Sequence, residues 1–202
     1  MADSTQTPGA GTYELGPGSS RVLVKTGRAG LAARAGHDLT IEITRWSARI
    51  TVPDSDAGPA IAAATVTAEL DLGSLAVREG TGGAKPLTDR DRKDILGTAR
   101  TILGSATASF ASSRVIPSAG GLSSAAPSTG AIEGTLTMRG TSKPIRLQVT
   151  SPGPRRFRGT ATVRQTDFGI TPYSGFFGTL KLKDEIIVEF EVELGETPDS
   201  PA

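Results

Sequence analysis

Near its C-terminus the chain reads DEIIVEFEVELG, residues 184–195. Ile186, Val188, Phe190, Val192 and Leu194 alternate with Ile187, Glu189, Glu191 and Glu193. A strand turns successive side chains to opposite faces, so this period of two predicts a strand with one dry face and one mostly charged face. A helix would scatter the glutamates all round its surface. Other stretches show the same habit. Val22 and Val24 are in phase in SSRVLVKTG, as are Val66, Ala68, Leu70 and Leu72 in ATVTAELDL. Ala108 and Phe110 follow, then Ile132, Leu136 and Met138, then Ile145, Leu147 and Val149, and Phe157, Ala161 and Val163. Gly (25) and Pro (13) are frequent enough to supply turns between short strands.

One strand changes phase. In DLTIEITRWSARITV the apolar residues Leu39, Ile41 and Ile43 are odd-numbered, whereas Trp46, Ala48, Ile50 and Val52 are even-numbered. A change of parity requires a bulge or bend near Thr44–Arg45, and bends of this kind belong to strongly curved sheets. Thr40, Glu42 and Thr44 then share the solvent face, with Leu39, Ile41 and Ile43 pointing inward. One segment has helical spacing instead. Thr88 is placed to cap it, Asp89 and Asp91 suit the positive end of the helix dipole, and Ile95, Ala99, Ile102 and Leu103 form a narrow apolar stripe. Together these features predict an all-β domain, an extended antiparallel barrel of about eight strands with one α-helix packed on it. Closure removes exposed sheet edges. The inward positions are mostly small or aliphatic, which leaves room for a cavity. Residues 1–12 and 196–202 are expected as flexible tails, 13–195 as the barrel, and the Pro/Gly/Ser/Ala-rich stretch 117–130 as a solvated loop.

Composition narrows the function classes. Lys and Arg number 22 against 21 Asp and Glu, so the basic footprint of nucleic-acid binding is absent and nucleic acid is not an expected partner. No cysteine is present, which excludes disulfides, thiolate metal sites and cysteine nucleophiles. The single histidine, His37, cannot build a multi-histidine metal site. No metal and no cofactor are expected. No segment approaches the ~20 apolar residues of a membrane span, so stable membrane insertion is not expected. No secretory signal is visible at the N-terminus, and the expected location is the cytoplasm rather than the periplasm or the exterior. A homodimer is compatible with the sequence.

Three segments resemble the YceI-like family of lipid-binding proteins. GHDLTIEITRW resembles its histidine-bearing second strand, and GTLTMRGTSKPIRLQV (134–149) its central hairpin. VRQTDFGI (163–170) and LKLKDEIIVEFEVEL resemble its closing segments. RDRKDIL keeps Arg90 and Asp91 of the family's helical motif, with Lys93 where a histidine often stands. The resemblance covers about residues 13–194. It implies a lipocalin-like barrel with a deep apolar pocket for a polyisoprenoid chain. The residues expected to line such a pocket are Leu39, Ile41, Ile43, Phe110, Leu136, Met138, Phe168 and Phe176.

The polar constellations have competing readings. His37 beside Asp38 invites a general base with an orienting carboxylate, but adjacent strand residues face opposite ways. The favoured reading is a Gly36–His37–Asp38 corner held to backbone, with no catalytic residue in the chain. Arg139 and Lys143 in MRGTSKP are either a head-group pair or part of a hairpin turn with Gly140 at positive φ. Aromatics crowd RQTDFGITPYSGFFG (164–178) as either core plug or hydrophobic gate. REGTGGAKP lacks phosphate-loop spacing. The expected function is non-enzymatic binding or carriage of a long apolar molecule, a polyisoprenoid, isoprenoid quinone or related lipid. The alternatives are a small enzyme on an apolar or acyl substrate with His37 as base, or a ligand-free interaction module presenting the 117–130 loop or the acidic last strand.

Overall fold

The predicted break at Thr44–Arg45 organises the whole molecule. The computed structural model describes residues 8–104, 106–117, 128–153 and 155–195. Its first half contains β1 (Gly11–Leu15), β2 (Arg21–Thr26), β3 (Arg28–Ala29), β4 (Asp38–Ile43), β5 (Trp46–Val52), β6 (Thr65–Asp71) and β7 (Leu75–Thr81). Helix α1 (Asp89–Leu103) follows. The second half is β8 (Thr107–Ile116), β9 (Ser128–Met138), β10 (Thr141–Gly153), β11 (Arg156–Arg164), β12 (Ser174–Gly175), β13 (Leu180–Leu182) and β14 (Glu185–Glu193).

Eleven of these strands make one antiparallel sheet, in the order β1-β5-β6-β8-β9-β10-β11-β14-β2-β4-β7. The ladder ends at β1 and β7, so it is not a continuous ring of hydrogen bonds. The chain itself joins the ends. β4 pairs with β2 and β7, while β5, two residues further on, pairs with β1 and β6. β1 with β2, β4 with β5, and β6 with β7 are therefore halves of three long bent strands. Counted this way the sheet has eight long strands in meander order, the last of which, β14, returns to β2. The expected all-β barrel-like curl with one helix is thus present, drawn as eleven hydrogen-bonded segments.

The bends are pinned together by polar groups. Ser74 is buried, its hydroxyl donating to the Asp71 carbonyl at 2.7 Å and accepting from the Arg45 amide at 2.8 Å. Its carbonyl accepts from both the Thr44 amide, at 3.0 Å, and the Thr44 hydroxyl, at 2.6 Å. The Arg45 guanidinium grips the Asp71 carboxylate at 2.6 and 2.9 Å, and the other oxygen of Asp71 takes the Gly73 amide at 2.7 Å. Backbone groups freed by two bends would otherwise be buried unpaired, which is why the bends carry Ser, Thr and Asp rather than aliphatic residues.

Burial along β4 alternates strictly from Asp38 to Ile43, with Leu39, Ile41 and Ile43 inside. Glu42 points outward and pairs with Arg78. Cross-strand ion pairs also cover the outer wall elsewhere, among them Arg21 and Arg158 on Glu191, and Lys25 on Glu189. Each contributes little in water, but together they keep this face wet. Thr88 caps α1 as expected, accepting from the Asp91 amide at 3.2 Å while Asp91 takes the Thr88 amide at 2.9 Å. Gly104, at φ 66°, ends the helix.

Two expectations of extent change. Gly11 and Thr12, placed in the tail, belong to β1, whose Tyr13 is buried with its hydroxyl on the Gly9 carbonyl at 2.8 Å. Residues 128–130, placed in the loop, open β9, which pairs along its length with β10. The rest of that loop, 118–127, and the tail 196–202 lie outside the described residues. The hairpin reading of Arg139–Gly140 is met by positive φ at both residues, 53° and 76°.

Ser74→Ala should cost about 1–3 kcal/mol, because it leaves the buried Arg45 amide without its acceptor; urea unfolding monitored by circular dichroism reads the loss. The pH dependence has a defined sign. Hydrogen bonding to Arg45 and to the Gly73 amide holds the Asp71 carboxyl below its ordinary range. The stability this adds is present above the unfolded value of about 4 and is lost as pH falls through the lowered folded value. Acid titrations of wild type and Asp71→Asn should therefore run parallel above about pH 4 and converge below it.

Candidate functional site

Because the inward side chains are small or aliphatic, they do not meet across the barrel. Two chambers remain. The smaller, about 280 Å³, is walled by β5, β6, β8, β9, β10 and β14 and is almost wholly apolar. The larger, about 690 Å³, lies between β2, β4 and the inner face of α1. Val163 stands in the walls of both. Many wall residues, Leu70, Leu136, Leu147, Val149 and Val188 among them, face inward yet are only half-buried. In a filled core such residues would be covered by one another.

The smaller chamber owes its breadth to two glycines. Gly159 on β11 faces Phe190 on β14, and a Cβ there would lie 2.2 Å from the ring and 2.7 Å from the Gln148 carbonyl. Gly134 on β9 likewise lies under Phe110, where a Cβ would be 2.6 Å from the ring and 2.4 Å from the Ala111 carbonyl. Each ring thus lies on the wall over a glycine rather than standing across the lumen. The single tryptophan, Trp46, is buried in the same chamber's wall, and its indole nitrogen has no hydrogen-bond partner among the described residues.

The larger chamber has an apolar body and a polar rim. Leu39, Ile41, Leu75 and Met138 form the strand side; Ile95, Ala99, Ile102 and Leu103 form the helix side. α1 has no fully buried residue, since its apolar stripe looks into the chamber. At the rim stand Arg28, His37, Lys85, Asp91, Asp94 and Tyr173. The Asp91 carboxyl is held below its ordinary range by the Thr88 hydroxyl and amide.

His37 immediately precedes β4 at this rim, and it does not form a dyad with Asp38. Its Nε2 lies 2.7 Å from the Lys85 carbonyl, which can only accept, so Nε2 carries the hydrogen. Asp38 accepts the Arg28 amide at 2.8 Å, while the Arg28 guanidinium donates to the Gly36 carbonyl at 2.5 Å. The corner is held to backbone, as expected, but by segments 10 and 48 residues away rather than by its neighbours. Arg139 turns toward the Ile102 and Gly169 carbonyls, each at 3.5 Å, and not toward Lys143.

Of the eight expected lining residues, Leu39, Ile41 and Met138 stand in the larger chamber and Phe110 and Leu136 in the smaller. Ile43 and Phe168, 3 % and 4 % exposed, do not line either chamber and are packed in the core between the strands. The side chain of Phe176 lies outside the described residues. The aromatic segment divides its roles: Phe168 is core, Tyr173 lines the larger chamber, and Phe177 is fully exposed. Two contributions were missed. The helix stripe was read as packing on the body, although its spacing marked the right residues. Gly134 and Gly159 carried a signal only in their inward parity. Among the described residues there is no cluster of His, Cys, Asp or Glu able to hold a metal.

The eight-strand meander, one flanking helix and apolar lumen agree with what sequence comparison finds: the YceI-like domain matches residues 13–194. The chain belongs to the YceI-like family. No curated protein matches it. Among solved structures it is similar to Burkholderia cenocepacia BcnA, with a TM-score of 0.52 and 18 % identity over 85 % of this chain and 94 % of that one. It is also similar to a polyisoprenoid binding domain from Saccharophagus degradans implicated in plant cell wall breakdown. There the TM-score is 0.51 and the identity 14 %, over 92 % of this chain and 98 % of that one. At these identities the likeness to both establishes the YceI-like fold.

Gly159→Val is expected to drive Phe190 off the wall, since both the ring and the Gln148 carbonyl occupy the space a side chain needs. Overpacking of this kind costs about 1–3 kcal/mol. Chemical denaturation should show that loss, and an unchanged midpoint would mean that Phe190 does not depend on the glycine.

Proposed function

We propose that the protein is a non-enzymatic carrier or binding protein for a long apolar molecule, a polyisoprenoid, an isoprenoid quinone or a related lipid. The observation that carries this reading is the pair of largely apolar chambers that share Val163 in their walls and that no side chain among the described residues fills. Their shape supports a long ligand over a compact one. β9 and β10 have 11 and 13 residues. At ~3.3 Å per residue and a tilt of roughly 40°, strands of this size enclose a lumen about 28–33 Å long. Each buried methylene-sized group contributes about 0.8 kcal/mol before the costs of association. A chain of branched C5 units replaces the missing contacts along both chambers, and a polar head group remains at the rim among Arg28, His37 and Tyr173. The polyisoprenoid-binding domain of similar fold supports the same reading.

The enzyme reading with His37 as base has less support. His37 donates through Nε2 to the Lys85 carbonyl and Asp38 is held by Arg28, so the base with its orienting carboxylate that this reading needs is not formed. A cytoplasmic carrier is the form we propose.

Native mass spectrometry of protein purified without detergent, followed by incubation with a long-chain isoprenoid quinone, tests the function. The expected result is a one-to-one complex, with Trp46 fluorescence changing on uptake. Ile41→Trp should fill part of the larger chamber and weaken uptake by about tenfold or more while the circular dichroism spectrum stays the same. A protein that takes up no quinone or prenyl lipid under these conditions overturns the proposal.

A further inference from the structure

The end of the barrel that opens into the larger chamber carries two side chains that the fold does not use. Leu31 is 96 % exposed and Phe177 fully exposed; among the described residues they are the two large apolar side chains left entirely in solvent. They sit on adjoining turns. The Ala32 amide donates to the Thr179 carbonyl at 2.9 Å, and β3 pairs with β13 immediately beyond. Phe177 also has φ 55° and ψ 35°, the left-handed region, which a bulky residue adopts only at a cost. A phenylalanine that is both strained and unburied gains nothing from this chain. Its compensation must come from outside.

The charges around these turns are one-sided. Three segments form the rim, 27–37, 80–88 and 171–183, tied together by the His37–Lys85 bond and by the β3–β13 pairing. They contain Arg28, Arg34, Lys85, Lys181 and Lys183 and not one Asp or Glu, in a chain whose totals are 22 basic and 21 acidic. Arg28 is occupied by Asp38 and Gly36. No ion pair among the described residues joins Arg34, Lys85, Lys181 or Lys183 to a carboxylate. The carboxylates that flank these segments in the chain are Asp38, Glu79, Asp89 and Asp184. Asp38 is paired with Arg28 and Asp184 with Arg164, while Asp91 and Asp94 stand on the α1 side of the opening. The outer wall of the barrel is different, its Arg and Glu side chains being paired across strands.

From this placement we infer that the rim is a membrane-docking face: Leu31 and Phe177 enter the interfacial region of an anionic bilayer, and Arg34, Lys85, Lys181 and Lys183 meet its head groups. Two apolar wedges within a basic collar suit an anionic lipid surface, where insertion and charge attraction add. The mouth of the larger chamber, lined by Gly36, His37, Lys85 and Leu180, would then face the membrane, so that an apolar molecule passes between bilayer and barrel without crossing bulk water. The purpose given to docking rests on the proposed cargo; the docking itself does not.

Flotation of the full chain with vesicles of phosphatidylcholine alone, and with about one-third phosphatidylglycerol, tests the inference. Wild type should float with the anionic vesicles, much less with the neutral ones, and should be released by about 0.5 M salt. The double variant Leu31→Ser, Phe177→Gly should lose at least about tenfold in vesicle partitioning. The glycine suits the left-handed backbone, so the variant should melt no lower than wild type. Neither residue lines a chamber, so uptake of an isoprenoid quinone delivered from ethanol without vesicles should be unchanged. Failure of wild type to float overturns docking, as does a double variant that floats equally well. A wild type that self-associates and fails to float, with a monomeric double variant, shows that the face is a self-association surface and likewise overturns it. Loss of quinone uptake by wild type and variant alike, with flotation intact, removes the cargo reading and leaves the docking face standing.

Discussion

The architecture depends on one polar cluster, in which Ser74, Asp71, Thr44 and Arg45 hold two strands bent at the same level. A straight strand has two neighbours along its whole length. A bent one can serve one pair of neighbours before the bend and another after it, and β4 with β5 does so. The hydrogen-bonded ladder can therefore end at β1 and β7 while the covalent chain still brings the sheet round. Removing backbone groups from a ladder is tolerable only if something else satisfies them, and here one buried serine serves three partners. The same cluster fixes the end of β4 and the start of β5, so that Ile43 is buried in the core and Trp46 in the wall of the smaller chamber.

Around that framework the interior follows a different rule from an ordinary core. Strand alternation directs Val, Leu, Ile and Ala inward, but the barrel is wider than two such side chains. Ile43, Trp46, Met138, Val163 and Phe168 are buried against one another, whereas many wall residues of the smaller chamber stay half-buried. Phe110 and Phe190, two of the three phenylalanines lining the smaller chamber, would have been large enough to close it. They do not, because each has a glycine beneath its ring. On the other side the same economy appears in α1, whose stripe is apolar enough to hold the helix on the sheet and too narrow to fill the space under it.

Much of this was legible in the residues themselves. The strict alternation of β14 and β4 identified their inner faces correctly, the parity change at Thr44–Arg45 located the bend, and Thr88 with Asp91 located the helix start. Each is a local signal, written within a dozen residues. What could not be read was non-local. Gly11 and Thr12 look like tail because Tyr13 and Leu15 beside them are too few to establish a period, and only pairing with β5 makes Gly11–Leu15 a strand. Phe168 looks like a ligand contact because it is aromatic in a glycine-rich stretch, but its depth in the core is set by elements distant in sequence. His37 was correctly placed at a corner; its true partner, the Lys85 carbonyl, lies 48 residues on. Gly134 and Gly159 say nothing until Phe110 and Phe190 are known to lie over them.

The partition at Val163 has a consequence for selectivity. A molecule occupying only the larger chamber is judged by volume and by its polar end. Under the proposed function, one reaching into both must pass Val163, which stands in the walls of both, and there its girth counts. A slender chain that carries its bulk in small side branches can thread such a passage by rotating about its single bonds. A rigid fused-ring molecule of equal hydrophobicity has no such freedom and is stopped half-way. Under the proposed function the barrel would be a gauge as well as a container, sorting apolar molecules by their narrowest dimension.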